Sequence, residues 1–439
     1  MKRKNPLSSA AVQRDRMHLH RDSEVSVLMI SLNYPRPSNP SFGAWFQNQI
    51  GAYTAYSNIF LLVPVHVTPS ISIMMQSPGL SSKIKSLKNQ LMNSFQPFPS
   101  FWTPVAGKYV RFASIPPKQL FPYSGGMVLA CRLFFFMAMN NRFDVIHGQS
   151  IFPEGLSAVL LGKLFDKPSV VTSIGSDIHG IEKGSITYQS TLFVLNNATL
   201  ITTVSKDLKH RIMAMGIADS KIVVVPNGID PDFQKKGNAM DIRQRMNIPV
   251  QAKVFGFVGR LIPVKDPLSL MAAFGRLMKT AGNVYLVFVG DGELKGKLVQ
   301  EAKRQGISSH VRFSEGMVAP QEIPSYMQSF DYLCVSSTGE GWPNVIFEAM
   351  VCGKPVIGTR VGGIPEAIIG NDYGLLVPPQ DPDAMMGAMQ QALNTHWNRN
   401  KIASYAKQNS WNKVGEKYHK IYSQLCSERN RKCSIGKID

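Results

Sequence analysis

Two carboxylates, Glu340 and Glu348, bracket the stretch Glu340-Gly-Trp-Pro-Asn-Val-Ile-Phe-Glu348. Pro343 suits the first turn of a helix, where its missing N–H costs nothing, and Gly353 suits a C-terminal stop. Residues 344–352 therefore read as a short helix, with Glu340 in the loop before it and Glu348 inside it. Free N–H groups at a helix start favour an anion. A carboxylate beside such a site makes sense if it accepts hydrogen bonds from hydroxyls, and a ligand with both phosphate and hydroxyls is a nucleotide sugar. The same spacing also fits a capped amphipathic helix with two solvated glutamates. Upstream, Gly259-Arg260-Leu-Ile-Pro-Val-Lys265 follows an apolar run. A glycine there lets backbone approach a ligand. Arg260, a planar fork, and Lys265, a compact charge, can clamp a diphosphate.

Such loops need rigid elements beneath them. Apolar runs at 25–32, 59–65, 199–204, 284–289 and 331–335 predict buried strands, and Val356-Ile357-Gly358-Thr359 predicts another. Phe143-Asp-Val-Ile-His147 and Ser169-Val-Val-Thr-Ser173 each predict a strand followed by a loop. Helices are predicted over 44–56, 128–139, 383–393 and, as the last element, about 402–425. Strand, glycine-containing loop and helix recur in both halves, the pattern of nucleotide-binding α/β units. Asn227-Gly228 supplies turn residues between the halves.

The 439 residues allow two or three domains, and 44% hydrophobic with 18% charged residues predicts ordinary globular cores. Five scattered cysteines without CxxC spacing argue for a reducing compartment and against a disulfide framework or zinc site. The net charge of +19 suits phosphates or anionic lipid faces. Nucleic acid is not expected, because no zinc-finger or aromatic-rich RNA-binding signature accompanies the charge. Residues 1–24 are polar and basic, without the apolar core of a signal peptide. No stretch is long and apolar enough for a membrane span, so a cytoplasmic protein, peripheral at the inner membrane face, is expected. Lys83, Lys85 and Lys88, with nearby Phe95, Phe98, Phe101 and Trp102, could form an interfacial face against anionic lipid, or a plain surface helix.

Glu340-x7-Glu348 followed by Gly353-Lys354-Pro355 resembles the donor motif of the retaining glycosyltransferases of family 4. Further similarities run from about residue 25 to 425. Gly259-Arg260-x4-Lys265 resembles the family's cationic pair, Asp144-x-x-His147 its first-domain loop, and Gly175-Ser176-Asp177 its Gly-Ser/Thr-Asp segment. Ile222-Val-Val-Val-Pro226-Asn227-Gly228 resembles the interdomain hinge, and Val361-Gly-Gly-Ile-Pro-Glu366 also matches.

The resemblance implies the GT-B fold, two Rossmann-like α/β domains with a nucleotide-sugar cleft between them. It divides the chain into an N-terminal segment 1–24, an acceptor domain 25–226, a nucleotide-sugar domain 227–407, a helix 408–425 crossing back to the first domain, and a tail 426–439. Glu348 would bind the ribose hydroxyls and Glu340 those of the donor sugar. Arg260 and Lys265 would hold the diphosphate and stabilise its developing charge. Gly43, Gly259, Arg312, Gly316, Gly341, Trp342, Asn344 and Val345 would complete the donor site. His147, Gln149 and Asp177 would stand on the acceptor side.

Three positions depart from the family pattern. Many members have His-x-His where this chain has His147-Gly148-Gln149, and glutamine can only hydrogen-bond. Ile174 stands where a histidine is frequent, and Pro343 where a glycine is frequent. The implied reaction is retaining transfer from a nucleotide-diphosphate sugar to a hydroxyl of a cell-envelope, polysaccharide or lipid-linked glycan intermediate. No cofactor and no metal would be needed, since Asp230-Pro-Asp232 and Asp381-Pro-Asp383 both read as turns. The alternatives are a non-catalytic glycan- or membrane-binding partner with a relic cleft, and a nucleotide-sugar epimerase on the same fold.

Overall fold

A computed structural model of the protein describes residues 25–35, 43–67, 95–97, 105–113, 143–152 and 154–435. The first sheet contains β1 (Ser26–Ile30), β2 (Asn58–Val67), β3 (Phe95–Pro97), β4 (Ala106–Ala113), β5 (Val145–Gly148), β6 (Ser169–Ser173), β7 (Leu200–Thr203) and β8 (Ile222–Val224). Its order is β3-β4-β2-β1-β5-β6-β7-β8, and β3 alone of these runs antiparallel to its neighbour. The second sheet contains β9 (Lys253–Val258), β10 (Val284–Val289), β11 (Val311–Phe313), β12 (Tyr332–Val335), β13 (Val356–Thr359) and β14 (Gly374–Val377). Its order is β11-β10-β9-β12-β13-β14, with every pairing parallel.

The strands are apolar on both faces because helices cover both sides of a parallel sheet. Alternation then divides each strand between two cores. Val254, Val287 and Leu333 enter one core of the second sheet, while Phe255, Leu286, Phe288 and Tyr332 enter the other. The first sheet divides likewise, with Leu28, Ile146 and Val171 on one side and Val27, Val145 and Val170 on the other. Two Rossmann-like domains result, as the resemblance implied.

The chain crosses between the sheets twice, at adjacent places. Ile229 N–H donates to the Asn409 carbonyl at 2.7 Å, and Trp411 N–H donates to the Ile229 carbonyl at 3.2 Å. One helix was expected near the C-terminus, but there are two, Arg399–Lys407 and Trp411–Ile435, separated where the chain crosses. The second continues to Ile435, so most of the expected tail is helical. Its Val414, Tyr418, Tyr422 and Leu425 join the first domain's core beside Tyr53, and a side chain at Gly415 would run into the backbone of Ala52.

Among the described residues, no helix is long and apolar enough to cross a membrane. The expected segment 1–24, the helix over 128–139, and Lys83, Lys85, Lys88, Phe98, Phe101 and Trp102 lie outside the described residues, and of Phe95 only the backbone, in β3, is described.

Candidate active site

Among the parallel strands of each sheet the strand order reverses once, between β1 and β5 and between β9 and β12. Ligand crevices in doubly wound sheets open at such reversals, beyond the carboxyl ends of the strands. In the second domain, adjacency of β9 and β12 joins loops far apart in sequence. Thr338 N–H donates to the Val264 carbonyl at 2.9 Å, and the Ser336 hydroxyl donates to the Lys265 carbonyl at 2.9 Å. The stitched loops bring the Lys265 ammonium onto the Glu340 carboxylate as an ion pair, which the Ser337 hydroxyl joins at 3.3 Å. Lys265 and Glu340 are 28% and 14% exposed, so the pair is sheltered while still reachable from the crevice. Arg260, earlier in the Lys265 loop, is exposed, and its guanidinium makes no ion pair or hydrogen bond among the described residues.

Helix Asn344–Val351 begins directly after this loop. Pro343 is its N-cap rather than its first helical residue, and no side chain caps the helix. The Asn344 side-chain carbonyl accepts from the Asn227 amide at 3.1 Å, tying the helix start to the crossing segment. Glu348, one turn further in, lines a cavity of about 180 Å³ with apolar Phe233, Val258, Ile323 and Trp411 and with polar Asn48, Asp230 and Asn344. Its carboxylate has no partner among the described residues, and the residue is half-buried. Burial pushes its pKa up to about 7. An unpaired carboxylate at the edge of a cavity with both apolar and polar walls can accept hydrogen bonds from hydroxyls.

Backbone approach explains several glycines in the loop. A side chain on Gly175 would meet the Gly341 Cα at 2.8 Å, so the two domains touch there backbone to backbone. Trp342 is 9% exposed, stacks on Phe347 with ring centroids 5.3 Å apart, and sits in a core that contains Val204 and Leu208 of the first domain.

Other expected donor residues fall differently. Gly259 ends β9 at the crevice, and Gly316 lies near Asp291 in the loop after β11. Arg312 is not brought to the crevice. Its guanidinium donates to the carbonyls of Met246, Ser309 and Asn247 and packs over Tyr285 at 5.2 Å, so it braces the β11 edge. Gly43 has φ +67° and packs on the backbone of Asn33 and Tyr34, fixing the first loop. Lys354 of the Gly-Lys-Pro string stands at the opposite end of the sheet, donating to the Gln328 and Phe330 carbonyls at 2.9 and 2.6 Å.

The acceptor-side expectations change most. His147 is 0% exposed beneath the crossing helix. Its Nδ1 pairs with the Tyr422 hydroxyl at 2.6 Å and its Nε2 with the Thr172 hydroxyl at 2.7 Å. Burial pulls its pKa down to about 3, so it is a neutral structural side chain and not a proton carrier in the crevice. Gln149 is equally buried, with its amide near the Met29 sulfur at 4.0 Å. Asp177 accepts from Ile151 N–H and Gly175 N–H at 2.9 Å each and from the Ser173 hydroxyl at 3.1 Å, tying the loops after β5 and β6 together. Glu154, which the sequence reading passed over, ties in the loop after β1 by accepting from Leu32 N–H at 3.0 Å. Its signal was slight, one acidic residue opening a helix.

The two Asp-x-Asp strings are committed locally. Asp230 pairs with Lys236 and Asp232 with Lys235, while Asp381 caps helix Pro382–Asn394 through Asp383 and Ala384 N–H. Among the described residues no three His, Cys, Asp or Glu side chains gather as a metal site would require.

Residues 239–409 match the family model of glycosyl transferases group 1, and residues 97–233 match that of glycosyltransferase family 4. A D-inositol 3-phosphate glycosyltransferase of Corynebacterium jeikeium is 30% identical over 349 residues, 73% of this chain and 81% of that one. A Bacillus subtilis protein, TuaC, named provisionally for teichuronic acid biosynthesis, is 29% identical over 251 residues, 56% of this chain and 60% of that one. Sucrose-phosphate synthase from Thermosynechococcus elongatus superposes with a TM-score of 0.71 at 18% identity, covering 92% of this chain and 100% of that one. Anabaena Alr3699/HepE, in complex with UDP and glucose, superposes at 0.66 and 19% identity, covering 91% and 100%. The two-sheet architecture, the motifs in their order and these relatives together place the chain in glycosyltransferase family 4, group 1, as a glycosyl-transferring enzyme of the GT-B fold.

Proposed function

We propose that the protein transfers a sugar, with retention of anomeric configuration, from a nucleotide-diphosphate sugar to an acceptor hydroxyl. The observation that carries this reading is the Lys265–Glu340 ion pair in the stitched loops after β9 and β12, with Arg260 earlier in the Lys265 loop and Glu348 in the helix that follows Glu340. A diphosphate entering the crevice takes Glu340's place on Lys265, and Arg260 adds a second cation. Glu340 is then available to the hydroxyls of the donor sugar, and Glu348 to those of the ribose. As the glycosidic bond to phosphate breaks, negative charge accumulates on the leaving diphosphate, where fixed cations lower the barrier most.

The new bond forms on the face that the diphosphate leaves, and the leaving phosphate takes the acceptor's proton. This route needs no protein base, which suits a first domain whose His147 is neutral and fully hydrogen-bonded and whose Gln149 cannot carry a proton. The cationic pair and the local commitment of both Asp-x-Asp strings favour a metal-independent reaction.

For the acceptor, the relatives' names, which print an inositol phosphate and teichuronic acid biosynthesis, favour a hydroxyl of an anionic polyol or polysaccharide intermediate, and our reading extends this to a cell-envelope or lipid-linked glycan met at the inner membrane face. The overall charge of +19 favours an anionic surface. Proton NMR of the product tests retention. An axial donor bond giving an axial product linkage is expected, and an inverted linkage contradicts it.

A further inference from the structure

Helix Lys206–Ala214 of the first domain has its N-terminal N–H groups satisfied from two sources. Leu208 N–H donates to the Ser205 hydroxyl at 3.3 Å and Lys209 N–H to the Ser205 carbonyl at 3.2 Å, both within the first domain. Lys206 and Asp207 N–H instead donate to Glu366 of the second domain, one to each carboxylate oxygen, at 2.9 and 3.0 Å. A carboxylate held by two N–H groups at the positive end of a helix makes a charge-assisted contact. Here it spans the two domains.

Glu366 belongs to the short helix Ile364–Ala367, and the glycines before it touch the donor loop. Gly363 N–H donates to the Glu340 carbonyl at 3.3 Å. A side chain on Gly363 would collide with the Gly341 carbonyl at 2.5 Å and crowd the Trp342 ring and the Ser205 side chain. The loop bearing Glu340 is thus enclosed between Ile174–Gly175 of the first domain and Gly362–Gly363 of its own. The Glu366 cap and the Gly175–Gly341 contact thus join the same two domains on either side of the Glu340 loop.

We propose that Glu366 is a positioning residue, a clasp that closes the cleft by capping helix Lys206–Ala214 and thereby sets the Glu340 loop for transfer. It touches no reacting atom. The closing action is independent of the donor assigned above, while its effect on turnover rests on that assignment.

The test compares wild type with Glu366→Ala and the isosteric Glu366→Gln. Small-angle scattering in buffer without nucleotide should give a larger radius of gyration in the order Ala, Gln, wild type, with an unchanged melting temperature. Hydrogen exchange at Lys206 and Asp207 should accelerate about tenfold in the alanine variant, while Leu208 and Lys209 stay protected. Hydrolysis or transfer is then measured across UDP-glucose, UDP-galactose, UDP-N-acetylglucosamine and GDP-mannose. For whichever the wild type uses, kcat should fall about tenfold or more with KM nearly unchanged, because the charged donor contacts proposed above, Arg260, Lys265, Glu340 and Glu348, all belong to the second domain. Unchanged scattering and unchanged exchange in Glu366→Ala overturn the clasp, whatever the donor. A changed radius with no turnover of any panel member, by wild type included, leaves the clasp standing and counts against the donor reading instead.

Discussion

Lys265 and Glu340, 75 residues apart in the chain, form an ion pair because the strands before them are neighbours in the second sheet. The pair joins the loops after β9 and β12, and an anion that binds Lys265 competes with Glu340 for it.

Removing the cation should therefore cost catalysis directly. Lys265→Ala is expected to lose about 2–4 kcal/mol of transition-state stabilisation, roughly 30- to 1000-fold in kcat/KM. Glu340→Gln should do the opposite for the diphosphate alone, tightening binding of UDP or GDP by calorimetry while turnover falls. Equal or weaker diphosphate binding in Glu340→Gln would remove the competition.

Glu348 supports a prediction in which stability and function diverge. Its pKa is raised to about 7, above the ordinary carboxylate value near 4.5. Between those values the folded state holds a proton that the unfolded chain has released, so stability falls as pH rises through that window. At neutral pH and above, Glu348→Gln should gain up to about 3 kcal/mol in denaturant unfolding, and the gain should vanish near pH 4. The same variant should lose nucleotide-sugar binding. A residue that weakens the fold at working pH is expected where function needs it.

Much of this was legible in the sequence. The period and composition of the strands located Val284–Val289 to the residue, and helix Asn344–Val351 to within one residue at its end. Arg260, Lys265, Glu340 and Glu348 stood out because their spacing fits loops and helix starts that local rules describe. What escaped was long-range. His147 looks like a crevice residue until Tyr418 and Tyr422, over 270 residues away, are seen covering it. Arg312 looks like a ligand cation until its neighbours' carbonyls claim it. Asp177 looks like an acceptor-side residue until Ile151 N–H and Gly175 N–H are seen claiming its carboxylate. No local pattern marks Glu366 as the cap of a helix in the other domain.

His147 supports a second pH prediction. Its pKa in the folded protein lies near 3, below the ordinary histidine value near 6.5. As pH falls through that window the unfolded chain takes up a proton that the folded one refuses, so stability declines toward acid. His147→Gln should flatten that acid limb in chemical denaturation and lower stability at pH 8 by about 1–3 kcal/mol through the lost hydrogen bonds. It should leave the pH profile of kcat near neutrality where it was. A shifted profile would restore His147 as a proton carrier.

Metal independence is checked by assaying transfer in excess chelator. Full activity is expected. Loss that manganese or magnesium restores would assign a metal role to residues not named above.

The central claim is that the second domain's crevice holds a nucleotide-diphosphate sugar through Arg260, Lys265 and Glu348. Native mass spectrometry with a panel of nucleotide sugars tests it most directly, applied to wild type, Lys265→Ala and Glu348→Ala. The expected result is retention of one nucleotide sugar by the wild type and its loss in both variants, with each variant folded by circular dichroism. Equal retention by all three proteins, or no retention by the wild type, would contradict the account.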